Sequence, residues 1–396
     1  MTDSMQQTLE TLEKQGNLRR LPRLTHKGRF VETDGKELLN LSSNDYLGLA
    51  ADRNLRAEFL ESLTPDSFLP SASSSRLLTG NYTIGEQLEN ALATLFGSEA
   101  ALVFNSGYHA NTGLIPAITD SQTLILADKL IHASLIDGIR LSEARSIRYR
   151  HNDLNQLERL VARYASEYER ILIVTESIFS MDGDEADLPR LVSLRRSYAD
   201  KVWLYVDEAH AFGVRGKQGL GCAEEKGCTH DIDFLVGTFG KAAASVGAYI
   251  VCRKVVRDFL VNRVRPFIFT TALPPVNLMW THFIVQRLPQ MADRREHLSS
   301  LATLLRTSLQ MQGLSTCSTS HIIPILAGSS TEATRLARQL QRYGFYVLPI
   351  RPPTVPEGTS RLRISLTANI TQEEMQAFLT LLTDQHSPTK TNCEHL

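Results

Sequence analysis

No stretch of this 396-residue chain approaches the roughly 18 consecutive apolar residues that a membrane-spanning helix needs. The opening segment, MTDSMQQTLETLEKQGNLRR, is polar and helix-compatible and lacks the apolar core of a secretory signal, so the expected location is cytoplasmic. An excess of one charge is missing as well. The chain has 42 Lys+Arg against 43 Asp+Glu, a formal net charge of −1, and no run of about five or more basic residues. Without a basic surplus or stripe, nucleic acid is not an expected partner. Cysteine is scarce: Cys222, Cys228, Cys252, Cys317 and Cys393 are odd in number, and no pair has CxxC spacing. That excludes a disulfide framework and a structural zinc site and leaves ordinary reduced thiols. The histidines contain no HExxH, and no metal is expected. Internal repeats and low-complexity tracts are also absent.

What remains is ordinary globular composition, 42% apolar and 21% charged, on a chain long enough to favour two subdomains. Short apolar runs read as strands at Ala100–Phe104, Thr123–Ala127, Ile171–Thr175, Trp203–Asp207, Phe234–Thr238 and Ala248–Cys252. Helical patterns such as Asp153–Tyr168 and Leu188–Ala199 separate most of them. This alternation predicts an α/β fold with a mostly parallel sheet covered on both faces, whose ligands bind beyond the strand C-termini. From about residue 285 the pattern becomes α+β. A charged helical stretch over Arg287–Gln312 leads to strands Ile322–Ala327, Tyr346–Ile350 and Arg361–Leu366, with helices Thr331–Tyr343 and Thr371–Thr383. The polar tail Gln385–Leu396 is expected to fray.

Two strand ends carry the chemistry. In Val206-Asp207-Glu208-Ala209-His210 an acid closes a buried strand, where a carboxylate is costly without a cationic partner. In Thr238-Phe239-Gly240-Lys241 a lysine stands in a glycine turn. A phosphate-binding P-loop would need glycine at Leu235 and a hydroxyl residue at Ala242, so that reading fails. A lysine able to form a Schiff base, with a carboxylate to keep a pyridine nitrogen protonated, is what pyridoxal 5'-phosphate (PLP) requires. The joint Phe104-Asn105-Ser106-Gly107-Tyr108-His109 offers helix-start amides for a phosphate. In Asp128-Lys129-Leu130-Ile131-His132-Ala133-Ser134, His132 could stack on a planar ring or simply begin a helix.

These segments join Ser43-Asn44-Asp45-Tyr46-Leu47-Gly48 and Glu176-Ser177-Ile178-Phe179-Ser180-Met181-Asp182-Gly183-Asp184 in a fixed order along the chain. Together they resemble the α-oxoamine synthases, PLP-dependent enzymes, over roughly residues 15 to 385. The resemblance implies PLP-dependent transferase fold type I: an α/β large domain with a mostly parallel seven-stranded sheet and a smaller α+β C-terminal domain. The expected divisions are an N-terminal arm at 1–45, the PLP-binding domain at 46–284 and the small domain at 285–396. A homodimer with shared active sites is implied too.

The family's roles map onto matching positions. Lys241 would bind the cofactor and act as general base, Asp207 would pair with the pyridine nitrogen, and His132 would stack on the ring and polarise the acyl carbonyl. His210 and Ser180 would contact the ring hydroxyl or the substrate. Gly107, Tyr108 and Thr238 would hold the phosphate, and Thr270 or Thr271 would reach the neighbouring subunit's phosphate. Arg361, Arg363 and Ser365 share one face of a strand with period 2, and an arginine there can grip a carboxylate through two parallel hydrogen bonds. The family favours Arg363 for this task, with Asn44 nearby, and places Arg19 or Arg20 and Thr354 near the acyl substrate. The stretch Ile350–Arg363 resembles the branch that condenses L-alanine with a pimeloyl thioester, on coenzyme A or acyl carrier protein, on the way to biotin. A glycine C-acetyltransferase remains an alternative, as does an aminotransferase, which shares the Lys and Asp logic. A non-catalytic partner subunit would be expected to lack Lys241. Two departures stand out: the serine run at 71–75, where many members are glycine-rich, and Ala242-Ala243-Ala244 after the lysine.

Overall fold

The computed structural model describes residues 2–314 and 316–385. The chain forms two compact units, one of residues 52–179 and 185–295, the other of residues 1–51, 180–184 and 296–396. The sequence suggests a separate arm over 1–45. In the structure this arm shares a unit with the C-terminal third, because strand Lys36–Asn40 pairs in parallel with Phe345–Tyr346.

The larger unit is built on a seven-stranded sheet. Its spatial order is Ala100–Phe104, Ala248–Cys252, Phe234–Thr238, Val202–Asp207, Arg170–Glu176, Thr123–Asp128 and Arg145–Tyr149. Only Ala248–Cys252 runs against its neighbours. The central strands are apolar on both faces, as strands covered on both sides must be; Ile171 through Val174 are fully buried. Arg145–Tyr149 has no such signature. It is an arginine-bearing edge strand with exposed positions, which is why its sequence does not announce a strand.

The register fixes the functional edge. Phe104 and Thr238 both pair with Ala248, and Glu176 pairs with Asp207. The C-termini of the six parallel strands therefore open on one side, where Asp128, Glu176, Asp207 and Thr238 all stand.

The smaller unit carries two sheets. One joins Thr25–Lys27, Phe30–Thr33, Lys36–Asn40 and Phe345–Tyr346; the other has the order Ile322–Gly328, Ser360–Ser365, Pro349–Ile350. The expected strand Tyr346–Ile350 is thus split between two sheets. Pro349 has no N–H to continue the first ladder, and Leu348 donates its N–H to Ser42 Oγ instead (3.0 Å). The helical stretch from Arg287 begins as a 3-10 turn over Leu288–Gln290, around Pro289, before the helix Ala292–Met311. The expected tail beyond Gln385 lies outside the described residues.

Candidate active site

Lys241 lies in the turn that follows Phe234–Thr238. The turn closes on itself: Phe239 N–H donates to Gly247 O, Ser245 N–H to Phe239 O and Ala244 N–H to Lys241 O, all at 2.9 Å. Thr238 Oγ1 stabilises the same turn, donating to Gly247 O (2.9 Å) and accepting from Gly240 N–H (3.2 Å). Lys241 Nζ lies 2.8 Å from Nε2 of the buried His210. The alanine run is accommodated inside, with Ala242 and Ala243 buried and Ala244 at φ +48°.

Asp207 ends the adjoining strand and is buried. Its Oδ1 accepts Ala209 N–H and its Oδ2 accepts Asn111 Nδ2–H, each at 2.8 Å. Beside it in register stands Glu176, whose Oε1 accepts His132 N–H. Burial raises the Glu176 pKa well above the ordinary carboxylate value; the Asp207 charge adds to this and Lys241 opposes it. His132 caps the helix Ala133–Leu141. Its ring is exposed, yet the protein mass around it disfavours the imidazolium and lowers its pKa. Lys241 lowers it further, whereas Asp207 raises it. These shared influences place Lys241, Asp207, Glu176 and His132 around one locus.

The helix Gly107–Ile118 starts at the same edge, capped by Ser106 Oγ, which accepts His109 N–H (3.2 Å). A Cβ built on Gly107 would lie 3.7 Å from Thr238 Cβ, so the free amides of this helix start border the lysine turn. Tyr108 is half-exposed and donates its hydroxyl to Asp137 Oδ2 (2.6 Å). Thr271 gives its carbonyl to Asn105 Nδ2–H (2.7 Å) and is exposed, and Thr270 precedes it half-buried. A reactive amine, a buried acid at a strand end and amides at a helix start are the donor set that PLP requires.

The smaller unit gathers a different group. Arg363 lies half-buried on strand Ser360–Ser365. Its Nε donates to Ser180 O (2.5 Å), its Nη1 to Ser365 Oγ (2.7 Å) and Asn44 Oδ1 (3.3 Å), and its Nη2 to Tyr46 OH (3.4 Å). Ser180 thus meets Arg363 through its backbone carbonyl. Arg361, on the same face, is buried and pairs with Asp182; its role is structural. Arg19 Nη2 donates to Thr354 Oγ1 (2.8 Å), whereas Arg20 pairs with Glu13. Of the two arginines, Arg19 therefore meets Thr354.

Sequence reasoning missed Asn111 and Tyr205 and assigned Ser134 no role. The available signal was a lone asparagine in Gly107–Ile118, one helical turn beyond the amides of the helix start.

The family model for aminotransferases of class I and II matches residues 36–382. A Pasteurella multocida protein named as a candidate 8-amino-7-oxononanoate synthase is 51% identical over 95% of this chain and 97% of its own. The chain belongs to the α-oxoamine synthases. Solved structures of this family agree. Serine palmitoyltransferase from S. paucimobilis with a bound PLP–myriocin aldimine superposes with a TM-score of 0.88, at 29% identity over 96% of each chain. The 8-amino-7-oxononanoate synthase of Francisella tularensis gives 0.75, at 29% identity, covering 88% of this chain and 97% of its own. This α-oxoamine synthase is accordingly a PLP-dependent fold type I transferase. Among its described residues, no helix is long and apolar enough to cross a membrane.

Proposed function

We propose that this enzyme condenses L-alanine with a pimeloyl thioester, releasing CO2 and the free thiol carrier and forming 8-amino-7-oxononanoate for biotin synthesis. It works as a cytoplasmic homodimer with shared active sites, to which Thr270 or Thr271 contributes across the interface. The observation that carries the reading is the Lys241–His210 contact of 2.8 Å beside buried Asp207, in a chain half identical to proteins named for this reaction.

PLP, when bound, supplies an electron-withdrawing ring that accepts the electron pair left as a bond at the substrate α-carbon breaks. Asp207 would hold the ring nitrogen protonated, and Gly107, Tyr108 and Thr238 would hold the phosphate. Tyr108 would do so through its backbone amide at the helix start, because its hydroxyl donates to Asp137. Lys241 Nζ takes the proton from alanine Cα and returns it to the product, oriented by His210. Arg363 grips the alanine carboxylate, exchanging its long contacts to Asn44 and Tyr46 for two short parallel bonds. His132 donates to the thioester carbonyl, where negative charge develops.

The smaller unit offers support for an anionic carrier. A cavity of about 1230 Å³ there is lined by Arg20, Arg335, Arg338, Arg342 and Arg351. Burial, then the charges of Arg19 and Arg338, disfavour the Arg351 cation. An anion would relieve that repulsion, and both coenzyme A and an acyl carrier protein are anionic.

The test is to supply PLP-loaded enzyme with L-alanine and pimeloyl-CoA, and in parallel with glycine and acetyl-CoA, following products by mass spectrometry. We expect 8-amino-7-oxononanoate from the first pair only, and none from Lys241→Ala. Product from the glycine pair alone would overturn the substrate assignment.

A further inference from the structure

A chain of hydrogen bonds runs from Asp207 to the ring of His132. It can be followed donor by donor. Asp207 Oδ2 accepts from Asn111 (2.8 Å), so the amide nitrogen of Asn111 must face the carboxylate. The opposite end of that amide, Oδ1, accepts the hydroxyl of Tyr205 (2.6 Å). Tyr205 is fully buried, and burial followed by the Asp207 charge raises its pKa well above normal, so it keeps its proton and stays a donor. The second proton on Asn111 Nδ2 goes to Ser134 Oγ (2.9 Å). Ser134 Oγ then accepts, and its own proton points at His132 Nδ1, 2.7 Å away. The backbone N–H of Ser134, which can only donate, converges on the same ring nitrogen at 3.2 Å. Asn111, Ser134 and Tyr205 are all buried, so none of these choices is left to water.

We infer that Asn111 and Ser134 are positioning residues that transmit the orientation of the Asp207 carboxylate to His132 and fix it as the Nε2–H tautomer. Nδ1 is the acceptor, so the ring proton sits on Nε2. That nitrogen has no hydrogen-bond partner among the described residues, and the ring is exposed. The acid that serves the cofactor nitrogen thereby also sets which nitrogen of the stacking histidine donates. A glycine permits the arrangement. A Cβ on Gly138 would lie 2.4 Å from Asn111 O, so only glycine lets helix Ala133–Leu141 approach helix Gly107–Ile118 closely enough for Ser134 to reach Asn111. The tautomer follows from the hydrogen bonds alone. Its use as a donor to the thioester carbonyl rests on the proposed condensation.

The test is nitrogen NMR on PLP-loaded enzyme carrying ring-labelled histidine, with the His132 signals assigned by their loss in His132→Gln. Wild-type enzyme should show His132 protonated at Nε2 and bare at Nδ1. Protonation at Nδ1 overturns the inference without recourse to any variant. Ser134→Ala leaves only the longer backbone N–H on Nδ1, so it should mix the tautomers and lower kcat about 10-fold, with little change in KM for alanine. Ser134→Thr keeps the hydroxyl and should restore both tautomer and rate. An unmixed Nε2–H signal in Ser134→Ala, with the rate still reduced, would make Ser134 structural only. If wild-type enzyme shows the Nε2–H form but makes no 8-amino-7-oxononanoate, the condensation falls and the relay stands. If it makes that product with the proton on Nδ1, the relay falls and the condensation stands.

Discussion

Ala244 and Ser73 hold φ values of +48° and +55°, in the lysine turn and in the serine run. A side chain in this left-handed region costs on the order of 1–2 kcal/mol, partly offset by the smaller entropy it loses on folding compared with glycine. Ala244 is pinned there by Trp280 Nε1, which donates to its carbonyl (2.9 Å). Ala244→Gly should therefore raise stability by about 0.5–1 kcal/mol, read from chemical denaturation. An equal loss would show that the alanine is favoured by its packing. His132 gives a pH signature. Its folded pKa lies below the ordinary 6.5, so as pH falls through 6.5 the unfolded chain takes up the proton first. Stability is therefore lost progressively as pH falls from 6.5 to the lowered value, stays lost below it, and is regained above 6.5. His132→Gln cannot titrate and should flatten that part of the midpoint-against-pH curve relative to wild type.

Strand Ser360–Ser365 shows how one element serves two purposes. Arg363 holds Asn44 and Tyr46 only through long contacts of 3.3 and 3.4 Å, which a ligand could replace, whereas Arg361, two residues earlier, is committed to Asp182. Asp182→Ala removes an ion-pair partner of a buried guanidinium and should cost up to about 3–5 kcal/mol, seen as a lower denaturation midpoint. Adding Arg361→Leu should recover much of that loss, since an apolar side chain needs no partner there. Gly183, next to Asp182, is equally constrained: at φ +70° its Cβ would meet Ile322 O at 1.9 Å. Central strands such as Phe234–Thr238 and Ala248–Cys252 were legible because uninterrupted burial writes an uninterrupted apolar run. Lys241 and Asp207 were legible as a pair, because a lysine in a glycine turn together with an acid closing a buried strand matches what PLP needs, though neither is unusual alone. Asn111 was not, because its function depends on the close approach of two helices, which no spacing within either helix encodes. For the same reason the period-2 face of Arg361 and Arg363 did not reveal that one is a structural ion and the other a candidate clamp.

At the scale of the whole molecule, a net charge of −1 conceals local asymmetry. The arginine-lined cavity concentrates positive charge in one unit, and Arg338 and Arg342 on helix Ser330–Arg342 have no ion-pair partner among the described residues. Added salt should raise KM for pimeloyl-CoA in wild-type enzyme through screening. Arg338→Glu with Arg342→Glu should raise it severalfold at low salt and blunt the salt dependence, leaving kcat unchanged. A KM indifferent to both would remove the cavity from carrier recognition.

The division of the chain also orders its assembly on the ribosome. Residues 52–179 and 185–295 emerge before residues 296–396 that complete the other unit. The first 51 residues and the short piece 180–184 must wait for that last third to be made. Strand Lys36–Asn40 stays an open edge, and Asp182 an unpaired acid, until translation is nearly finished. A stop codon ahead of Phe345 would therefore remove more than the residues it deletes, because it strands the amino terminus without the strand it was built to meet.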